Sequence, residues 1–134
     1  DGYLYGFDGS GKGNTALVCV ELATGRQVWR MHPEWEETIQ QNGKPRTVTL
    51  GVFRGSLLRV DEHFLCLGEM GHLLWVDLTP DGYKELKRTR LFLADETWAL
   101  PVLSRGLLYV CQHTRDSLTG QGPRLLCYDL RGEK

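Results

Sequence analysis

The chain has 134 residues, with 16 basic and 17 acidic side chains and a formal net charge of −1. That is enough length for one domain with a core, and there is no charge excess to attract nucleic acid or an anionic membrane. Hydrophobic residues make up 41%, ordinary for a globular protein, and no apolar run approaches the roughly 20 residues of a membrane-spanning helix, so nucleic-acid binding and a membrane span are both excluded.

In chain order, Tyr3-Leu4-Tyr5 reads as a short strand running into GFDGSGKGN. Gly6 and Gly11 are separated by four residues and followed by Lys12, the spacing of a phosphate-binding loop. Such a loop needs a hydroxyl beside the lysine and a helix behind it. Here Gly13 takes the hydroxyl position, and Ala16-Leu17-Val18-Cys19-Val20-Glu21-Leu22 has the β-branched, alternating character of a strand. A calcium loop would put Lys12 at a ligand position and Cys19 where a bidentate glutamate belongs. The stretch is therefore expected to be a hairpin turn with a solvated lysine. Thr24-Gly25 then turns into Arg26-Gln27-Val28-Trp29-Arg30, a third strand. Residues 33 to 41 predict a helix, with Pro33 in its first turn, Glu34, Glu36 and Glu37 near its positive end, and Trp35 and Ile39 on one face.

Further strands are expected at Ser56-Leu57-Leu58-Arg59-Val60, Phe64-Leu65-Cys66-Leu67 and Leu73-Leu74-Trp75-Val76-Asp77-Leu78. Asp81-Gly82 turns into a strand running from Tyr83 toward Phe92, and Leu100-Pro101-Val102-Leu103, Leu107-Leu108-Tyr109-Val110 and Leu125-Leu126-Cys127-Tyr128-Asp129-Leu130 complete the set. The runs beginning at Leu17, Leu73 and Leu125 share one pattern, in which an acidic residue stands fifth and leucine sixth, and a second strand precedes each. Three copies of a short-strand unit joined by glycine turns predict an all-β partial β-propeller of about three four-stranded antiparallel blades, the first and last incomplete. The divisions are a partial blade over 1–30, an inter-blade insertion over 31–54, a complete blade over 55–92 and a partial blade over 97–134.

The run Cys19, Glu21, Thr24, Gly25, Trp29 resembles the tryptophan-docking motif of the quinoprotein-like propellers, bacterial proteins with pyrroloquinoline-quinone-type repeats. In that motif a small residue is followed by aspartate, Thr-Gly and tryptophan; Cys19 and Glu21 are conservative departures. The second copy keeps Asp77 and Gly82 but has Leu86 where tryptophan is expected, and the third keeps Asp129. Trp98, Pro101, Val102 and Gly106 also resemble the opening of a blade in this family. The resemblance implies the C-terminal part of a longer, exported, periplasmic protein. It implies a structural role for the motif residues: Gly25 for a tight turn, Trp29 for burial between blades, and Glu21 and Asp77 as acceptors of turn or inter-blade hydrogen bonds.

The family's enzymes hold the quinone beneath a vicinal disulfide, beside calcium. The cysteines at 19, 66, 111 and 127 include no adjacent pair, and none has histidine at zinc spacing. They are expected to be buried free thiols, and no cofactor, metal site or catalytic residue is predicted. The four serines and four histidines fall in no nucleophile or ligand pattern, and the histidines are expected at the surface. The expected function is that of a non-catalytic scaffold binding a protein or peptide, with Trp35 and Glu69 as the interaction candidates and Glu69 a solvated turn acid. The alternative is a fragment of a dehydrogenase dependent on pyrroloquinoline quinone and calcium. Unpaired strand edges at the two incomplete units predict self-association or a covering partner.

Overall fold

The computed structural model describes residues 2–132, which form strands and turns with no helix among them. Three sheets follow the three sequence repeats. The first joins β1 (Tyr3–Asp8), β2 (Ala16–Glu21) and β3 (Gln27–Met31) in that order. The second is a four-stranded meander of β6 (Ser56–Val60), β7 (His63–Leu67), β8 (His72–Thr79) and β9 (Gly82–Arg90). The third joins β10 (Val102–Ser104), β11 (Leu107–Gln112) and β12 (Arg124–Asp129). All pairings are antiparallel, as the glycine-turn connections require. The register shifts between Cys19 and Val20 where β2 meets β3, and between Trp75 and Val76 where β8 meets β9. These are the third and fourth positions of the shared pattern, so the repeat extends to its bulge.

Alternation along the strands of the central sheet sends successive side chains into two different cores. Leu57, Phe64, Cys66, Leu74 and Val76 pack with Tyr5, Phe7, Leu17, Trp29 and Met31 of the first sheet. From the opposite face, Leu58, Leu65, Leu67, Leu73 and Trp75 pack with Leu103, Leu108, Val110, Leu126 and Tyr128 of the third. The central sheet is thus covered on both faces and its neighbours on one. The bare face of the third sheet leaves Val102 and Leu125 56% and 66% exposed.

Residues 33 to 41 do not form the expected helix. They belong to a hairpin of β4 (Glu34–Gln41) and β5 (Lys44–Gly51), paired from Glu34 opposite Gly51 to Gln41 opposite Lys44. Trp35, Glu37 and Ile39 share the inward face at a period of two, and the same residues satisfied a helical reading at i and i+4. The turn decides between them: Asn42 and Gly43 have φ of 53° and 73°, the positive pair that a two-residue hairpin turn demands. The hairpin packs Ile39 and Leu50 on Leu93, with Met70 and Leu118 alongside.

Lys12 is not free in solvent, because it reaches across to pair with Asp95 in the connection after β9. The four cysteines are free thiols; Cys19 and Cys66 are buried as expected, Cys111 is half-buried and Cys127 is exposed. Cys127 departs from the expectation because it lies on β12, an edge strand, on the face that no other sheet covers.

Candidate functional site

The loops at one end of the strands are tied into a continuous rim. Ser117 N–H donates to the Leu93 carbonyl at 2.7 Å and Thr114 Oγ1 to the Asp95 carbonyl at 2.9 Å, binding the β9–β10 connection to the β11–β12 loop. Asp116 fastens that loop from inside. Its carboxylate accepts backbone N–H groups from Leu93 at 2.9 Å, Leu118 at 2.7 Å and Thr119 at 2.9 Å. Burial alone would push the Asp116 carboxyl up, but these three donors outweigh it and hold it below the ordinary 3.8.

Within the rim, Glu69 stands in the β7–β8 turn with its side chain fully buried, which corrects the expectation of a solvated acid. Arg54, in the β5–β6 connection, grips both its oxygens, Nε to Oε2 at 3.1 Å and Nη2 to Oε1 at 2.5 Å. Burial raises the affinity of Glu69 for a proton; the hydrogen bonds and charge of Arg54 overcome this, with Trp98 acting in the same direction, and the carboxyl lies below its usual range. The guanidinium carbon of Arg54 lies 4.9 Å from the centroid of the Trp98 ring. The two residues before Trp98 are tied down: Thr97 N–H donates to the Glu69 carbonyl at 3.0 Å, and His113 Nδ1 donates to the Glu96 carbonyl at 2.6 Å. Trp98 is 52% exposed, and Leu100 and Val102 continue the apolar surface with 56% each.

Trp35, the tryptophan singled out from sequence, is half-buried instead. Arg88 covers its ring at 4.0 Å, His72 meets it edge-on at 5.0 Å, and its indole N–H donates to Glu37 at 3.1 Å. It pins the hairpin onto the central sheet. Glu37 completes the clasp by pairing with Arg90 and accepting from His72 Nε2 at 2.8 Å. His72 is buried, contrary to the expected surface position, and burial lowers its proton affinity despite the opposing charge of Glu37. Nε2 is the nitrogen that meets the Glu37 carboxylate, and Nδ1 is buried with no partner, an arrangement in which a single proton, on Nε2, satisfies the ring.

The motif residues hold local structure. Cys19 is buried in β2 opposite Tyr5 and Trp29. Glu21 accepts the Thr24 hydroxyl at 2.5 Å, and Gly25, at φ 71°, donates its N–H to the Glu21 carbonyl at 2.8 Å. Trp29 crosses between sheets, its indole N–H donating to the Thr79 carbonyl at 2.8 Å. Asp77 takes His63 as its partner, and Gly82 opens β9. Asp129 accepts from Arg131 Nε at 2.8 Å and Nη2 at 2.6 Å. So the acids at the equivalent position bond within their own sheet or turn, and the tryptophan is what spans two sheets.

Sequence reasoning missed Arg54 and did not single out Trp98 as a surface. The signal for Trp98 was its place three residues before Pro101, which is buried and anchors the segment while Trp98 and Leu100 stay exposed. Among the described residues no group of histidine, cysteine, aspartate and glutamate is arranged to hold a metal ion. Comparison with protein-family models, with curated proteins and with solved structures returns no match. The likeness to the quinoprotein-like propellers rests on the motif residues alone.

Proposed function

We propose that the stacked sheets are blades of a quinoprotein-like β-propeller and that the chain is a non-catalytic scaffold, binding a protein or peptide at the rim around Trp98. The shared strand order and bulge position support the blade reading, since blades of one propeller repeat their register. An exported location follows from the family resemblance only.

The observation that carries the functional reading is a half-exposed tryptophan seated on an arginine whose other side is locked to a buried carboxylate. Tryptophan and arginine are the residues most enriched at the energetic centres of interfaces. A preordered anchor also loses little side-chain entropy on binding. Arg54 and Glu69 are committed to each other by a bidentate pair, so neither charge is left to act on a ligand. No observation among the described residues favours the dehydrogenase reading over this one.

A random peptide library selected on the immobilised protein tests the proposal. Selected peptides should bind Trp98→Ala about tenfold more weakly or worse, with the unfolding midpoint of that variant unchanged. If every selected peptide binds wild type and Trp98→Ala equally, the rim is not the binding surface.

A further inference from the structure

The segment that carries Trp98 presents a second group to solvent. Thr97 is fully buried, and Glu96 and Trp98 on either side of it are exposed. Glu96 has a φ of 62°, in the left-handed region that strains a glutamate backbone and that glycine enters freely. The hydrogen bond from His113 to the Glu96 carbonyl, at 2.6 Å, holds it there. Of the charges at the rim, Lys12 is taken by Asp95 and Arg54 by Glu69, while Arg115 turns back to the Gly120 carbonyl at 3.4 Å. Among the described residues, the Glu96 carboxylate has neither a hydrogen bond nor an ion pair of its own. Its charge still reaches Arg54, whose guanidinium is held charged by hydrogen bonds to Glu69 first, then by the charges of Glu69 and Glu96. One guanidinium thus faces two carboxylates, and the surface around Trp98 is left negative.

We infer that the side chain received at Trp98 is an arginine of the bound peptide, its guanidinium lying on the open face of the indole and pairing with Glu96. The inference rests on the rim being the binding surface and adds the chemistry of what binds there. Arg54 occupies one face of the ring, 4.9 Å from its centroid, and the ring is 52% exposed, so the opposite face is the one open to a partner. Of the aromatic side chains, tryptophan attracts a cation most strongly. The charge of Arg54 does not repel the newcomer, because its two-point pair with Glu69 cancels it. Arginine fits better than lysine, since its planar group can stack on a ring while presenting two N–H groups to a carboxylate. Leu100, 56% exposed, extends the surface for an apolar neighbour of that arginine. A glutamate at a backbone position that favours glycine suits this role: stability is given up there to place a carboxylate beside the indole.

The probes are synthetic libraries of short peptides on beads, identical except that the central residue is arginine, citrulline or glutamate, each incubated with fluorescent protein. The arginine library should give the most binders. Replacing the central arginine of a selected peptide by citrulline, which keeps the shape and removes the charge, should weaken binding about tenfold or more. Glu96→Gln should narrow that difference to about twofold or less, since the carboxylate that reads the charge is gone. Glu96→Gly should narrow it equally while its urea midpoint rises above that of the wild type, because glycine relieves the left-handed strain. Trp98→Ala should lose both forms of the peptide. Peptides that need Trp98 yet bind equally well with arginine or citrulline would overturn the inference and leave the rim as a binding surface. So would an arginine preference that survives whole in Glu96→Gln. Failure to select any peptide, or binding indifferent to Trp98, would remove the rim as the binding surface and this inference with it.

Discussion

Gly71 determines where Glu69 goes. It closes the β7–β8 turn at φ 95°, and a Cβ there would meet the Phe92 ring at 2.3 Å and the Phe92 carbonyl oxygen at 2.7 Å. Gly71→Ala should therefore destabilise the fold by about 2–3 kcal/mol, from backbone strain and the clash together. Urea denaturation checks it, and a loss below about 0.5 kcal/mol would mean the turn can relax. Thiol reactivity offers a second test of side-chain placement. Cys127 should react first with an aromatic disulfide reagent and Cys111 more slowly, while Cys19 and Cys66 should wait for unfolding; burial pushes the Cys66 thiol up to about 12. Rapid labelling of Cys66 in the native protein would contradict its place in the core. The burial of Glu69 could not be read from sequence, because a turn glutamate is solvated unless a cation reaches it. Arg54 does so from 15 residues upstream, across a connection with no local signature.

The β4–β5 hairpin shows what a period can and cannot decide. Strands of the repeats were readable from alternation and glycine turns, as in Leu73 to Leu78, where buried and half-buried positions alternate. The hairpin was misread because two inward residues four apart fit a helix face and a strand face equally, and the acids suited a helix start. Asn42-Gly43 was the discriminating signal, since only a hairpin turn has use for two positive φ values in succession. Once formed, the hairpin is held by Glu37, His72, Arg90 and the Arg88–Trp35 stack, and this makes its docking depend on pH. The folded His72 has its proton affinity lowered from the ordinary 6.5, so below pH 6.5 the unfolded chain binds more protons than the folded one. Stability from this group is complete above that value and is lost as the pH falls through the lowered one, at no more than about 1.4 kcal/mol per pH unit. Glu37, also lowered in the fold, adds its own loss only below 4.5. His72→Gln can still offer a donor to Glu37 and cannot titrate, so its urea midpoint should be flat between pH 7 and 5 where that of the wild type declines. Equal slopes for the two proteins would remove His72 as the cause.

The central sheet couples the two large cores, since neighbouring residues of one strand serve different ones: Leu74 is fully buried against the first sheet and Leu73 packs against the third. A strand cannot lose one face and keep the other in register, because a slip of one residue exchanges the two faces. The three sheets should then unfold together, although each has few strands and would be marginal alone. Leu74→Ala and Leu108→Ala empty the two cores separately, and each should cost about 2–5 kcal/mol. Both should move one common transition, with tryptophan fluorescence and far-ultraviolet circular dichroism shifting in step. If Leu108→Ala instead splits the curve and leaves the Trp29 environment folded after the third sheet has melted, the sheets are independent units. The face-to-face stacking that underlies the propeller reading would then contribute far less to stability than the shared strands imply.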